Sequence, residues 1–238
     1  MRDKKSDAMS YEETREQLHR QMLSTVSHDL KTPLATIIGS LEISVRMSDK
    51  LSPEKKAMLI NSALGEAYRL DNFITNILDM AKLEGGMVKP KTEQLELKSL
   101  LDDCLTRLGP RAKLHTIHIA PSDKSSFVRA DPMLLGRAVG LVLDNAIKHA
   151  GKEATINVSY GSDNDGTFIY IRDNGPGIPA GKEQEIFSKY SRIARSDQQN
   201  AGTGLGLAIC RQMMYMMSGT VKASNHPEGG AVFELRCP

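Results

Sequence analysis

Apolar residues recur at helical spacing through the first third of the chain, with almost no alternating, strand-like pattern between them. One stripe consists of Met22, Val26, Leu30, Leu34, Ile37, Leu41 and Val45, and a second of Leu59, Ala63, Ala67, Leu70, Ile74, Ile77 and Ala81. Such spacing places each set on one helix face. Between the stripes, Ser52 can cap a second helix that begins at Pro53. The pattern predicts a long antiparallel hairpin whose apolar seam exceeds what one hairpin can cover, so we expect two chains to form a four-helix bundle.

The pattern becomes mixed helix and strand after Glu84-Gly85-Gly86-Met87, which we interpret as a linker. Seven strands are predicted, at Gln94 to Leu97, Thr116 to Ala120, Phe127 to Ala130, Thr155 to Tyr160, Phe168 to Arg172, Val221 to Ala223 and Val232 to Arg236. Helices are predicted at Ser99 to Leu108, Pro132 to Ala150 and Thr203 to Met217. Asp131 is expected to cap the middle helix, and Asn164-Asp165-Gly166 to form a hairpin turn. The chain is thus divided into a linker (1–9), an all-α domain (10–86) and an α/β domain (87–238).

Composition narrows the classes of function. The 238 residues include 31 Lys and Arg against 29 Asp and Glu, with 5% aromatic residues and no Trp, which argues against a nucleic-acid partner. The three cysteines lack the close pairing of a zinc site or redox pair, so a reducing cytosol is the simple interpretation. No stretch approaches the roughly 18 apolar residues of a membrane span. We expect a cytoplasmic chain that meets a membrane only through segments absent from it.

His28 lies off the first apolar stripe, roughly 200° around the helix from Val26, and is predicted to face solvent. Pro33 cannot donate to the carbonyl of Asp29 and is predicted to bend the helix just beyond His28. The carboxylate of Asp29 can accept from Nδ1 of the imidazole and leave Nε2 as a nucleophile. A lone histidine of this kind is nevertheless more often an ordinary surface residue.

A second chemical signal is Asp173-Asn174-Gly175-Pro176-Gly177-Ile178, in which an acidic residue ends a strand and glycines let the backbone approach a ligand. The loose dinucleotide-binding match of its glycines lacks a parallel βαβ unit. Gly181-Lys182 resembles the end of a P-loop, but the first glycine is missing and Glu183 occupies the Ser/Thr position. We reject both of these motifs.

Four segments in order resemble the asparagine, first glycine, phenylalanine and second glycine boxes of an ATP-binding superfamily: Asp144 to His149, Asp173 to Ile178, Ile186 to Arg192 and Gly202 to Leu207. Histidine kinases, gyrase, the heat-shock chaperone of about 90 kDa and mismatch-repair ATPases share these boxes. The string Ser27-His28-Asp29-Leu30-Lys31-Thr32-Pro33-Leu34 resembles the phosphoacceptor box of histidine kinases. The chain is therefore identified as a member of the sensor histidine kinases of two-component systems. Its LATIIGSLE and LDNFITNILDMAKLEGG helices resemble the potassium-responsive branch.

The resemblance implies a fold and a set of ligand contacts. The fold is a helical hairpin that forms a dimeric four-helix bundle, followed by an α/β sandwich of the gyrase and histidine kinase ATPase type. Asn145 is implied to ligate Mg²⁺, Lys148 to reach the phosphates and Asp173 to accept from the adenine amine. The remaining implied ATP contacts are His149, Gly175, Gly177, Ile178, Tyr190, Arg192, Gly202, Thr203, Gly204, Leu205, Gly206 and Leu207. The glycines of the last box are expected to open the Thr203 helix toward the phosphates, and residues 188–201 to form a mobile lid.

The resemblance also implies ATP-dependent phosphorylation of His28, oriented by Asp29, followed by transfer to an aspartate on the receiver domain of a response regulator. Asp29 and Thr32 match an acidic-x-x-Thr pattern that supports the reverse phosphatase reaction in this family, with Thr32 orienting water. Two rivals stay open: an ATP-binding scaffold or phosphatase-dominated module without autokinase activity, and a superfamily ATPase. Leu141 argues against the ATPase, because it stands where hydrolysing relatives carry a glutamate base and where kinases often carry a second asparagine.

Overall fold

The structure is a computed structural model, and it describes residues 26–27, 29–122, 127–151, 154–191 and 204–238. It divides into two compact units, Met1–Thr75 and Asn76–Pro238. In the first unit, residues 29–46 form helix α1, and residues 47–52 lead to α2 (Pro53–Glu84), whose C-terminal turns from Asn76 onward belong to the second unit. The predicted hairpin and its helix start at Pro53 are confirmed. None of the described helices is long and apolar enough to cross a membrane.

The hairpin leaves much of its apolar surface uncovered in the single chain. Pro33 and Ser40 of α1 are buried, as are Ala63 and Phe73 of α2. A line of apolar side chains beside them is exposed, at Leu34, Ile38, Leu41 and Val45 on α1 and at Ile60, Leu64, Ile74 and Leu78 on α2. The predicted first stripe is thus split, because Val26, Leu30 and Ile37 are half-buried whereas Leu34, Leu41 and Val45 are exposed. Its first member, Met22, lies outside the described residues. Residues 29–46 are all helical, so helix α1 continues through Pro33 without a break.

The second unit is built on a mixed five-stranded sheet in the order β2-β4-β5-β7-β6. Its strands are β2 (Thr116–Pro121), β4 (Thr155–Asp163), β5 (Gly166–Asp173), β6 (Thr220–Asn225) and β7 (Ala231–Cys237). Strands β2 and β4 are parallel and the other pairs antiparallel. The short strands β1 (Glu93–Glu96) and β3 (Phe127–Ala130) form a separate antiparallel pair. All seven strands predicted from the sequence are present.

Three helices provide the layer that packs on this sheet: α3 (Leu97–Leu108), α4 (Pro132–His149) and α5 (Gly206–Met216). Helix α4 is central, since it contacts α3 and α5 on its sides and β5 and β7 beneath. Alternate residues of β7, from Ala231 to Cys237, are buried, as expected for a sheet with one covered face. The predicted α/β sandwich is confirmed.

Asp131 fixes the start of α4, as predicted. Its Oδ1 accepts hydrogen bonds from the backbone amides of Met133 at 2.9 Å and Leu134 at 3.0 Å. Its Oδ2 accepts from the amide of Lys91 at 2.7 Å, so the same carboxylate also anchors the segment that follows the linker. Pro132 occupies the first helical position, where no backbone donor is needed.

The helix predicted to open at Thr203 begins instead at Gly206. Gly204 has φ +67°, which lies outside the helical region, and its carbonyl accepts from the amide of Tyr190 at 2.9 Å. A long-range contact therefore determines this boundary, and helical periodicity could not reveal it. Gly202 and Thr203 lie outside the described residues. Helix α3 begins at Leu97, two positions before the predicted start.

All three cysteines, Cys104, Cys210 and Cys237, are buried free thiols. Burial raises the pKa of Cys104 and of Cys237 to about 11 and that of Cys210 to about 12. Cys104 also donates through Sγ to the carbonyl of Gly136 at 3.3 Å, which ties α3 to α4. The thiols therefore behave as core residues, consistent with their spacing in the sequence.

Candidate active site

Asp173 ends β5 and is the most deeply buried acidic side chain of the candidate site, with 4% of its surface exposed. Its Oδ1 accepts from the backbone amide of Gly175 at 2.9 Å and from that of Ala231 at 3.1 Å. Both of these bonds end on the same oxygen. The carboxylate is thus held rigidly by backbone donors from the following loop and from β7. Within the described part of the chain, no hydrogen bond reaches Oδ2, which can accept from a ligand.

The glycines beside Asp173 are required by close backbone approach. A Cβ on Gly175 would lie 2.6 Å from Cα of Ala150, at the end of α4. A Cβ on Gly230, in the turn before β7, would lie only 1.8 Å from the carbonyl oxygen of Asp173. The predicted glycine loop and the end of the predicted asparagine helix are therefore in direct contact, as the order of the boxes in the sequence implies for a shared site.

Asn225, the last residue of β6, holds the far end of this loop. Its Oδ1 accepts from the amide of Ile178, and its Nδ2 donates to the carbonyl of Ile178, both at 2.7 Å. Gly177 has φ +77°, and a Cβ there would lie 2.5 Å from Oδ1 of Asn225. Ile178 itself is buried. Side chain and loop thus fit together at a spacing that only glycine permits at position 177.

The C-terminal turns of α4 carry the polar side chains predicted to meet phosphate and metal. Asn145 is half-buried, and Lys148 lies one turn further along the helix, where it pairs with Asp144 at 2.5 Å. The pKa of His149 is lowered, chiefly because surrounding protein desolvates the ring and secondly because Lys148 is positively charged. His149 is therefore neutral at pH 7 and can accept or donate a hydrogen bond through its ring nitrogens.

The third and fourth boxes meet at Tyr190 and Gly204. Tyr190 has φ +60°, an uncommon value for a residue with a side chain, and its amide donates to Gly204. A Cβ on Gly204 would lie 2.8 Å from the carbonyl oxygen of Ser191. Burial raises the pKa of the Tyr190 phenol, with a smaller contribution from the charge of Glu84. The backbone near the start of the predicted lid, at Tyr190 and Ser191, is thus in contact with Gly204, which follows the lid.

Helix α5 connects these boxes to α4. Leu205 is buried and Leu207 half-buried, and the Cδ2 atom of Leu141 lies 3.5 Å from the position of a Cβ on Gly206. Leu141 therefore packs beneath the start of α5. Phe187 is almost fully buried, and the guanidinium of Arg211 lies 5.8 Å from the centre of its ring.

Charged pairs link the last turns of α2 to the rest of the second unit. Arg137 of α4 donates through Nε to Asp79 at 2.9 Å and through Nη2 to Asn76 at 2.8 Å. Lys189, immediately before Tyr190, donates to Glu84 at the end of α2. The helix end therefore has polar contacts both with the central helix and with the segment that precedes the predicted lid.

The structure brings together the described members of all four predicted boxes. Of the predicted phosphoacceptor box, it places Asp29 and Thr32 on α1, half-buried and exposed respectively, and both have interactions with other groups. His28, Arg192, Gly202 and Thr203 lie outside the described residues. Sequence reasoning missed Asn225, Gly230 and Ala231. The pair Gly229-Gly230 before a strand was the available signal, since adjacent glycines often mark a close approach of backbone.

Comparison with known proteins agrees with this arrangement. Residues 18–86 match the family of the His Kinase A (phospho-acceptor) domain, and residues 130–238 match that of the histidine kinase-, DNA gyrase B-, and HSP90-like ATPase. The sensor protein KdpD of Escherichia coli (strain K12) is 36% identical over 228 residues, which cover 94% of this chain and 25% of that protein. The chain thus spans about a quarter of the length of this curated relative.

Solved structures share the fold. The histidine kinase ThkA in complex with the response regulator protein TrrA matches with a TM-score of 0.69 and 22% identity, covering 96% of this chain and 66% of that chain. Full-length ShkA in complex with AMPPNP matches with a TM-score of 0.63 and 23% identity, covering 92% of this chain and 45% of that one. Because both domains match their families and the fold agrees with them, the chain belongs to the sensor histidine kinases.

Proposed function

We propose that this chain transfers the γ-phosphoryl group of ATP to His28 and then to an aspartate on the receiver domain of a response regulator. The observation that carries the proposal is the buried carboxylate of Asp173, fixed by two backbone amides at the mouth of a glycine loop. Gly175 of this loop approaches Ala150 at the end of α4, the helix that carries Lys148, and this supports a phosphate site beside the proposed base-binding carboxylate. His28 lies within the matched phospho-acceptor domain.

In this proposal the adenine end of ATP is recognised by Asp173. The Oδ2 atom accepts from the exocyclic amine of adenine, whereas guanine presents a carbonyl at that ring position and would leave the carboxylate unpaired. Gly175 and Gly177 keep side chains out of the space beside the base, and buried Ile178 supplies an apolar surface. His149, neutral at pH 7, borders the same space through the contact of Gly175 with its carbonyl.

The phosphate end lies between α4 and the start of α5. Lys148 supplies positive charge, and the first backbone amides of α5, after Gly204 and Leu205, are donors for phosphate oxygens. The carboxamide oxygen of half-buried Asn145 is a hard donor that suits Mg²⁺ when phosphate oxygens and water complete its coordination. When bound, that ion neutralises charge on the triphosphate. The proposed set of ATP contacts is completed by six further residues: Tyr190, Arg192, Gly202, Thr203, Gly206 and Leu207.

For the transfer, Nε2 of His28 attacks the γ-phosphorus, and the bond from that phosphorus to the bridging oxygen of ADP breaks. Asp29 accepts from Nδ1, holds the ring in the reactive tautomer and assists loss of the imidazole proton. An aspartate oxygen of the regulator then attacks the phosphorus and frees His28. In the reverse direction, Thr32 orients a water that hydrolyses the phosphoaspartate. The complex named for ThkA contains such a regulator protein, which supports this class of partner.

The proposed assembly is a homodimer. The exposed line of Leu34, Ile38, Leu41 and Val45 on α1, with its counterpart on α2, gives a hairpin an apolar face that a second hairpin can cover. Repeats of three and four residues along these lines are those of helix pairs that pack side by side. Two copies of the chain would complete a four-helix bundle.

The decisive experiment incubates the purified chain with magnesium and γ-labelled ATP and compares wild type with His28→Gln. We expect acid-labile, base-stable label on the wild type and a loss of at least about a hundredfold in the variant, because the nucleophile is removed. His118→Gln, at an exposed position of β2, is the matched control and should label normally. Wild type that binds ATP but acquires no label would contradict the autokinase proposal and favour a scaffold or a phosphatase.

A further inference from the structure

The side chain of Asn225 binds one residue of the glycine loop through both of its polar atoms. Oδ1 accepts from the amide of Ile178, and Nδ2 donates to the carbonyl of the same residue, each at 2.7 Å. A neighbouring strand would satisfy both backbone groups in the same way. One side chain thus extends the pairing of the edge strand β6 to a loop that has left the sheet after β5.

This contact is sterically matched on the loop side. Gly177 adopts φ +77°, and a Cβ at that position would approach Oδ1 of Asn225 to 2.5 Å. The loop is therefore close enough for two short hydrogen bonds only because residue 177 lacks a side chain. Ile178, next to it, is buried with 8% of its surface exposed, so its backbone polar groups need partners from the protein.

The same pair of strands holds both ends of the loop. Asn225 of β6 is opposite Ala231 of β7 in the sheet register, and the amide of Ala231 donates to Oδ1 of Asp173 at 3.1 Å. Asp173 in turn accepts from Gly175, at the beginning of the loop. The loop from Gly175 to Ile178 is consequently fixed at its start by the proposed base-binding carboxylate and at its end by Asn225.

We propose that Asn225 is a positioning residue of the nucleotide site, which sets the place of the Gly175–Ile178 loop relative to Asp173 and thereby the affinity for ATP. The inference rests on the proposed function, since it assigns adenine to Asp173. Asn225 acts through the backbone of Ile178 and takes no part in phosphoryl transfer. Loss of its bonds lets the loop leave the position in which Asp173 and Ile178 contact the base together.

The test compares the wild-type chain with Asn225→Leu, which keeps the volume, and Asn225→Ala, which removes the side chain. Ser224→Ala, at the adjacent exposed position of β6, is the matched control. We expect both Asn225 variants to bind Mg–ATP about tenfold more weakly by calorimetry, the loss that two modest hydrogen bonds predict. The autophosphorylation rate at saturating ATP should stay within about twofold, so that the effect appears in KM rather than kcat.

A local readout accompanies the affinity. Hydrogen exchange of the Ile178 amide, measured by nuclear magnetic resonance, should accelerate in both Asn225 variants and remain unchanged in Ser224→Ala. If exchange is faster but the affinity for ATP stays within twofold of wild type, the proposal is overturned. Asn225 would then have a purely structural role. Loss of a cooperative unfolding transition in both variants would overturn it equally, since Asn225 would then support the whole fold. Failure of the autokinase proposal is seen separately, as absence of label on wild type that binds ATP.

Discussion

Asp173 shows how one side chain can separate a structural task from a binding task. One carboxylate oxygen satisfies the amides of Gly175 and Ala231, and this fixes the loop and the start of β7. The other oxygen is then presented in a constant direction, because the group cannot rotate without breaking both bonds. A substitution that preserves the first oxygen and changes the second should therefore affect ligand binding far more than folding.

Asp173→Asn is that substitution. The amide oxygen can still accept from the two backbone donors, but an amino group replaces the oxygen proposed to accept from adenine, and two donors then face each other. We expect ATP affinity to fall roughly 10- to 100-fold, the cost of losing a charge-assisted hydrogen bond. Calorimetric titration with Mg–ATP measures this loss. Asp102→Asn, on the exposed face of α3, serves as control, and equal affinities for Asp173→Asn and wild type would refute the assignment.

His149 gives a residue-scale prediction for pH. Its pKa lies below the ordinary value of 6.5 in the folded chain, so between these two values the unfolded chain binds a proton that the folded chain does not. Stability contributed by the neutral ring is present above pH 6.5 and is lost as pH falls through this window. Urea unfolding at about pH 8 and about pH 5.5 should show a larger decrease for wild type than for His149→Gln. Equal decreases would contradict the lowered pKa.

At the scale of elements, local signals were sufficient wherever a helix or strand is determined by its own residues. The cap at Asp131, the proline start of α2 and the strand positions follow from patterns of a few neighbouring residues, and all were predicted correctly. The start of α5 was predicted three residues early, because a hydrogen bond from Tyr190 holds Gly204 outside the helix. The hydrogen bonds between Asn225 and Ile178 join positions that are 47 apart in sequence, and hydrophobic periodicity carries no information at that separation.

Asp131 offers a test of element-scale stability. Replacing it with alanine removes the acceptor for the first amides of α4 and leaves the amide of Lys91 without its partner. We expect a loss of about 2 kcal/mol in the free energy of unfolding, above the usual cost of a helix cap because a second donor is affected. Urea denaturation measures the loss. Asp103→Ala, an exposed position in α3, should change stability by less than about 0.5 kcal/mol.

At the scale of the whole molecule, the two units differ in how much of their apolar surface is covered by protein. The α/β unit buries an apolar core within itself, which includes Phe233, Ile171 and Leu143. The hairpin leaves lines of apolar side chains exposed, including Leu34, Ile38 and Leu41. The hairpin unit is therefore the one whose stability should depend on protein concentration, because association covers those lines.

A charge placed on that surface should separate the proposed dimer. Leu41→Glu puts a carboxylate in the centre of the exposed line on α1, where burial in an interface would be costly. We expect wild type to show twice the chain mass of 26.2 kDa by light scattering, and the variant to approach the single-chain mass. Thr36→Glu adds the same charge on the opposite face of α1 and should stay associated. Monomeric wild type at micromolar concentration would argue against the bundle.

The three interior thiols have a practical consequence for experiments on this kinase. At neutral pH, groups with a pKa of about 11 or 12 hold almost no thiolate, and their burial excludes reagents. We therefore expect the three native cysteines not to react with maleimides. A single cysteine introduced at an exposed position becomes a unique attachment point for a spin label or fluorophore, without prior removal of Cys104, Cys210 or Cys237. Distances within the working protein can then be followed by spectroscopy in an otherwise unaltered chain.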